Sequence, residues 1–131
     1  MQDDINEPLQ VEMLAASLRA DISDVNAFME ALAAKLSGSL PNQTEVIRHS
    51  SFLSRDHPVR EISVGLGDYQ YRIVKERKGP IQTTRAKIVR GIVLKTDLIS
   101  MDQWINELAN SLADESTRNA QARIALENFL L

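Results

Sequence analysis

Residues 59–75 read VREISVGLGDYQYRIVK, alternating apolar with polar side chains on both sides of Gly67-Asp68. Glycine readily adopts the positive φ of a tight turn, so this pattern predicts a β-hairpin with a two-residue type II′ or I′ turn. Such a turn pairs Leu66 with Tyr69, and the apolar residues of both strands then share one face. The residues of this face are Ile62, Val64, Leu66, Tyr69, Tyr71 and Ile73. A one-residue shift would turn the whole set toward solvent, so turn and pattern predict the same register.

The composition indicates a single globular domain spanning residues 1–131. With 131 residues, 44% of them hydrophobic and 25% charged, the chain can bury a core without disulfides or metals. It contains no cysteine, which excludes a disulfide framework, cysteine-ligated zinc and thiol catalysis. No apolar run is long enough to span a membrane, and the first residues are acidic, unlike a signal peptide. We therefore expect a cytoplasmic protein without a membrane partner.

Residues 9–38 are predicted to be helical, after a polar stretch, residues 1–8, that is expected to fray. The apolar spacing predicts a first helix that ends near residue 20. A second helix follows, with apolar residues at helical spacing: Val25, Phe28, Met29, Leu32 and Leu36. Gly38 marks its end. The pattern is compatible with two separate helices or with one bent helix.

A basic β-sheet of four strands is predicted over residues 44–95. The first strand covers residues 44–50, and the hairpin supplies the next two. The fourth strand begins at residue 81 and is expected to continue through Gly91 to residue 94. A glycine inside a strand pattern often marks a β-bulge, so we expect one at Gly91.

The C-terminal helix, residues 100–130, has the clearest start signal in the chain. Ser100 and Gln103 fit a capping box, and Ile99 with Trp104 fits the hydrophobic staple that accompanies it. These residues predict that a helix begins directly after the sheet.

This helix would measure about 45 Å if it were unbroken, which is longer than a domain of this size is wide. Polar residues interrupt its apolar stripe near Ser116. Either the helix breaks there and its end folds back on the sheet, or its end projects and requires a partner, most simply a second copy. The predicted self-association surface consists of Leu126, Phe129 and Leu130.

The order of the elements predicts an α+β fold. The helices are segregated from consecutive strands in the order α-α-β-β-β-β-α, which is typical of an antiparallel four-stranded meander with helices packed on one face. The alternation in the hairpin supports one covered face and one open face.

No residue pattern supports catalysis, a metal site or a cofactor. His49 and His57 are the only histidines, and they lack the spacing of metal ligands. Ser50 follows His49, but neighbouring residues of a strand point to opposite faces, which separates a nucleophile from its base. We therefore expect a protein that is not an enzyme and that holds no metal or cofactor.

Charge is unevenly distributed along the chain. Residues 48–95 carry 11 basic and 4 acidic side chains, a net charge of +7, whereas the whole chain has a net charge of -3. If Ala86 and Ile88 point toward the helices, some of the basic residues share the open sheet face and others flank it in a turn. This predicted basic set is Arg72, Arg85 and Lys87 on the face, and Lys75, Arg77 and Lys78 at the turn. Such a face can bind phosphates, or it can simply remain solvated and discourage edge pairing.

The sequence favours a non-catalytic protein-interaction module, an adaptor or chaperone-like subunit that self-associates. Its partner would be another protein, for example one with an acidic surface, or a second copy of the chain. The alternative is nucleic-acid or polyanion binding through the basic set. The acidic total charge and the lack of an aromatic residue on the predicted open face count against that alternative.

Overall fold

A computed structural model describes residues 11, 13, 15, 25–50, 57–116, 123, 124 and 127. It has the predicted α+β class: a five-stranded antiparallel sheet packed against two helices. In chain order the elements are α1 (Val25–Ser39), β1 (Thr44–Arg48), β2 (Val59–Leu66), β3 (Tyr69–Val74), β4 (Gln82–Val89), β5 (Ile92–Ile99) and α2 (Met101–Ser116). Residues 11, 13, 15, 123, 124 and 127 are also helical.

The central hairpin has the predicted register. β2 and β3 pair so that Leu66 lies opposite Tyr69, Val64 opposite Tyr71, and Ile62 opposite Ile73. Of the two turn residues, only Gly67 has a positive φ, at 62°, which is the pattern of a type II′ turn. All of these paired residues are buried except Tyr69, which is 37% exposed. The hairpin therefore presents its apolar face to the core.

The predicted four-stranded sheet, with a fourth strand that continues through a bulge at Gly91, is wrong. The sheet has five strands, because the chain reverses at Arg90-Gly91 and Val89 pairs with Ile92. Both turn residues have positive φ, 53° and 78°, as a type I′ turn requires. Residues other than glycine rarely adopt positive φ, and arginine is not among the usual exceptions. The sequence Arg-Gly is therefore not a recognisable turn signal.

A bulge does occur nearby, in β5. The register of β4 against β5 shifts between the pair Lys87–Lys95 and the pair Ile88–Val93. Leu94 is consequently the extra residue of β5. Beyond the bulge β5 continues past residue 95, the predicted end of the sheet.

Both helices cover the same face of the sheet. α1 packs on β1 and β2, while α2 packs on β2 and β4. The predicted apolar stripe of α1 is buried, and it joins the hairpin and α2 in one core. The main residues of this core are Phe28, Met29, Leu32, Leu36, Ile62, Ile73, Trp104, Ile105, Leu108 and Leu112.

α2 begins where the capping signal predicts. Ser100 Oγ accepts a hydrogen bond from the backbone N–H of Gln103 at 3.2 Å, and Trp104 is fully buried. Only Ser100 separates α2 from β5, so the direction of the helix is coupled to the edge strand. The predicted continuation to residue 130, with its break near Ser116, falls largely on residues outside the described part of the chain.

The side chains of β4 point the opposite way from the prediction. Tyr71 pairs with Arg85 and Tyr69 with Lys87, and directly paired residues share a face. Arg85 and Lys87 therefore lie on the face that the helices cover, whereas Ala86 lies on the open face. The apolar residues of β4 therefore predict the wrong side-chain orientation. The polar residues Thr83 and Arg85 lie on the helix-covered face because they bind to β5 and α2.

Candidate functional site

The structure divides the predicted basic set among three places, so the predicted open face that carries Arg72, Arg85 and Lys87 together does not form. Arg72 is on the open face, Arg85 and Lys87 are on the helix-covered face, and Lys75, Arg77 and Lys78 are in the connection between β3 and β4. Each group has a different electrostatic environment.

Arg85 connects β4 to two other elements. Its guanidinium donates hydrogen bonds to Glu107 of α2 and, at 3.2 Å, to Asp97 of β5. It also lies 5.6 Å from the centre of the Tyr69 ring, within the range of a cation–π contact. The hydrogen bond to Glu107, followed by the one to Asp97, raises the pKa of Arg85. This arginine is therefore part of an internal ion cluster.

Arg72 is neutralised on the open face. Its guanidinium lies 2.7 Å from a carboxylate oxygen of Glu61, and that hydrogen bond raises the pKa of Arg72, with a further contribution from Glu45. Glu61 is buried, and a buried carboxylate depends on its cationic partner. Arg72 is thus engaged within the molecule.

Basic residues surround a shallow depression at one end of the sheet. We call it the basic depression. It has a volume of about 610 Å³ and is lined by Arg48, His49, Ser50, Arg60, Glu76, Arg77 and Lys78. Lys75 lines an adjoining cleft of about 360 Å³. The structure therefore places Lys75, Arg77 and Lys78 near one another, but away from the other predicted basic residues.

The predicted basic set did not include Arg48 and Arg60. β1 pairs antiparallel with β2, and Arg48 lies opposite Val59. The backbone N–H of Lys75 bonds to the carbonyl of Arg60 at 2.7 Å, which extends the hairpin by one pair. Extending the predicted hairpin register would have placed Arg60 opposite Lys75, so the sequence held a signal for this neighbour.

Acidic residues partly neutralise the basic depression. Arg48 lies 2.9 Å from Glu30 of α1, and Arg60 lies 3.2 Å from Glu76. The hydrogen bond from Arg48 lowers the pKa of Glu30, which also accepts a bond from the backbone N–H of Val59. The side chains of both ion pairs are well exposed, so each pair is weak and screened by salt. The lining keeps an excess of positive charge.

The two histidines form hydrogen bonds with backbone carbonyls at this end of the sheet. His49 Nε2 lies 2.9 Å from the carbonyl of Lys75, and His57 Nδ1 lies 3.1 Å from the carbonyl of His49. A carbonyl oxygen only accepts hydrogen bonds, so Nε2 of His49 and Nδ1 of His57 are the donors. Within the described ranges no group of three or more His, Cys, Asp or Glu residues could hold a metal ion.

β5 lies at one edge of the sheet and carries exposed apolar side chains. The strand order β1-β2-β3-β4-β5 gives it only β4 as a neighbour among the described strands. Its most exposed apolar side chains are Ile92 (63%), Val93 (56%), Leu94 (61%) and Leu98 (72%). We refer to these side chains and the outward backbone of β5 as the β5 edge.

The backbone of β5 is directed partly outward. The residues that flank the Arg90-Gly91 turn form a hydrogen-bonded pair, and every second residue along β4, including Arg85, bonds to β5 in the same way. Asp97, opposite Arg85, consequently bonds to β4. Its neighbours Thr96 and Leu98 alternate with it and direct their N–H and C=O groups toward the open edge.

The other edge strand, β1, is less suited to pairing. It has five residues, against eight in β5, and Val46 packs on the core. Its last residue, Arg48, is held by Glu30. Short and charged edges resist pairing with another strand. Of the two edges, β5 is therefore the better candidate for a partner.

The predicted self-association residues Leu126, Phe129 and Leu130 lie outside the described residues. In the part of the chain that the structure describes, no helix is long and apolar enough to cross a membrane.

No protein-family model matches this chain, and no curated protein or solved structure shows significant similarity to it.

Proposed function

We propose that this protein is a non-catalytic protein-interaction module, an adaptor or chaperone-like subunit, that self-associates through the β5 edge. The observation that carries the proposal is that four apolar residues on one edge strand are each more than half exposed. Proteins normally protect such edges with charge, proline, β-bulges or short strands, because they pair with other chains. The bulge of β5 lies at Leu94, and residues 95–99 beyond it pair regularly with β4. A cytoplasmic location belongs to the same proposal.

Strand addition is the binding mode that this edge supports. The outward N–H and C=O groups of Thr96 and Leu98 supply main-chain hydrogen bonds, and the apolar side chains supply burial. The described residues place two charged side chains on β5, Lys95 and Asp97. Both lie on the helix-covered face, opposite Lys87 and Arg85. The side chains of β5 on the open face are therefore uncharged.

The proposal is tested by sedimentation velocity over a range of protein concentrations. The wild-type chain should shift from monomer to dimer as concentration rises, and Leu98→Lys should remain monomeric, because it places a charge on the apolar edge. Met13→Lys removes an exposed apolar side chain elsewhere, and should dimerise like the wild type. A wild-type chain that stays monomeric at every concentration would contradict self-association.

The predicted C-terminal surface offers a competing interface. Phe129→Ser should leave the dimer intact if the β5 edge holds the two copies together. If Phe129→Ser dissociates the dimer and Leu98→Lys does not, then self-association uses Leu126, Phe129 and Leu130 instead.

A second candidate function is polyanion or nucleic-acid binding at the basic depression. The observation that favours it is the convergence of Arg48, Arg60, Arg77 and Lys78 on one concave surface. Several cations close together bind phosphates with an affinity that falls as salt rises.

Fluorescence anisotropy of a labelled oligonucleotide at two salt concentrations tests this candidate. Binding should weaken several-fold at the higher salt, and Arg77→Glu should reduce it further. Lys87→Glu makes the same charge change on the helix-covered face and should have a smaller effect. Equal losses in the two variants, or no binding at low salt, would argue against a site at the basic depression.

A further inference from the structure

We propose that the β5 edge pairs with β5 of a second copy, antiparallel and centred on Thr96, to form one continuous ten-stranded sheet. This inference rests on the proposed self-association and adds to it the partner strand and its register. Each copy contributes the five strands of its own sheet, and the two copies are related by a two-fold axis through the Thr96 pair.

The sequence around Thr96 is self-complementary. Residues 94–98 read Leu-Lys-Thr-Asp-Leu, with an apolar residue at each end and opposite charges on either side of the centre. In an antiparallel pair centred on Thr96, Lys95 of one copy faces Asp97 of the other, and Leu98 lies opposite the bulge residue Leu94. Opposite charges and apolar side chains in direct cross-strand pairs both stabilise a sheet.

The backbone geometry fits the same register. Thr96 directs its N–H and C=O groups toward the open edge, as derived from the pairing of β4 with β5. Two such residues from the two copies can exchange both hydrogen bonds, as in any hydrogen-bonded antiparallel pair. The central pair of the proposed interface therefore needs no rearrangement of the strand.

Neighbouring registers are electrostatically worse. A pair centred on Lys95 would place two lysines directly opposite each other, and a pair centred on Asp97 would do the same with two aspartates. Like charges in direct cross-strand pairs are destabilising. Of these three registers, only the one centred on Thr96 forms two Lys95–Asp97 pairs between the copies.

The faces of the sheet also match. A two-fold axis perpendicular to the sheet keeps the helices of both copies on one side. On that side lie Lys95 and Asp97, and Asp97 is already positioned by Arg85 at 3.2 Å. On the other side lies Leu98, opposite Thr84 in the β4–β5 pair. Each Leu98 would approach Leu94 of the other copy, which gives two leucine pairs about 13 Å apart, one on each side of the Thr96 pair. Their burial supplies the hydrophobic contribution to association.

Single-cysteine crosslinking reads the register directly, because the chain contains no cysteine of its own. A set of five variants introduces one cysteine at each of the positions 94–98 in the full chain. In the proposed register the two Thr96 Cα atoms are about 5.5 Å apart, within the range that a disulfide spans. The two Leu98 positions are offset by four residues, about 13 Å along the strands.

Under mild oxidation Thr96→Cys should give the highest yield of disulfide-linked dimer among the five variants. Leu98→Cys is the matched control and should give only the background yield from random collisions. Predominant crosslinking at residue 95 or 97 would overturn the register. A dimer in sedimentation without crosslinking at any of the five positions would overturn the β5 interface but not self-association. A monomer at all concentrations would instead refute the self-association on which the inference rests.

Discussion

At the scale of single residues, Arg85 links β4 to α2 and β5. Its guanidinium is held on the helix-covered face by Glu107 and Asp97. Its role in the ion cluster depends on these tertiary contacts.

Tyr71 gives the fold a predicted sensitivity to alkaline pH. Its hydroxyl is 2.7 Å from Ser111 Oγ, and burial raises the pKa of Tyr71 above its ordinary value. A group whose pKa is raised on folding contributes stability that is present below its unfolded pKa, about 10 for tyrosine. That stability is lost as the pH rises through the higher folded pKa.

Tyr71→Phe should therefore flatten the decline in unfolding free energy above about pH 10. At neutral pH it should cost about 1 kcal/mol, because Ser111 loses a hydrogen-bond partner. Urea unfolding followed by the fluorescence of Trp104, the single tryptophan, measures both effects. Tyr69→Phe changes the exposed tyrosine of the hairpin and should preserve the alkaline decline. An unaltered decline in Tyr71→Phe would show that another group causes it.

At the scale of elements, the second tight turn is suboptimal in sequence. Arg90 has φ 53°, a conformation that costs a side chain with a Cβ about 1 kcal/mol or more. Asparagine tolerates this conformation, and Asn-Gly is a preferred sequence for type I′ turns. Arg90→Asn should therefore stabilise the β4–β5 hairpin and raise the unfolding free energy by about 0.5–1 kcal/mol.

The control for this prediction is Gly91→Ala. Gly91 has φ 78°, and a Cβ at this position would meet no atom within 4 Å. The expected loss of about 1–2 kcal/mol would therefore come from backbone strain and not from a clash. If Arg90→Asn destabilises the protein in urea unfolding, the turn does not have the type I′ geometry.

The two hairpins show why part of the fold was predictable. The β2–β3 hairpin was predicted in register because Gly67 and the alternating apolar residues specify the same pairing. The β4–β5 hairpin was missed because Arg90 adopts a positive φ only under the constraint of the strands it joins. The sequence predicts only part of the basic depression. Arg77 and Lys78 are recognisable in the turn, whereas Arg48 joins them only through the pairing of β1 with β2.

At the scale of the whole molecule, Lys95 has opposing charge contacts within one copy and a favourable contact in the proposed dimer. Lys95 lies directly opposite Lys87 in the β4–β5 pair, where like charges destabilise a sheet. Between copies Lys95 would face Asp97. Within one copy Lys95 Nζ also lies 3.6 Å from Asp97 Oδ1, which offsets the repulsion from Lys87. The larger effect of a lysine at position 95 is therefore expected at the interface.

Lys95→Glu should reverse both contacts. In the monomer, the introduced carboxylate would face Lys87 but would also replace the ion pair between Lys95 and Asp97 of the same copy by a repulsion, so the unfolding free energy should change by less than about 0.5 kcal/mol. In the dimer, the same carboxylate would face Asp97 of the other copy in both symmetric pairs, and the dissociation constant should rise at least about tenfold at low salt. Urea unfolding in dilute solution measures the first effect, and sedimentation velocity measures the second.

Lys87→Glu is the matched control, because it removes the same repulsion without approaching the second copy. It keeps the ion pair of Lys95 with Asp97, should stabilise the monomer by about 0.5 kcal/mol, and should leave the dissociation constant unchanged. If both substitutions weaken dimerisation equally, the cause is the loss of positive charge in general and not a cross-strand pair. If Lys95→Glu leaves the dimer as tight as before, Lys95 does not face Asp97 of a second copy, and a register centred on Thr96 is untenable.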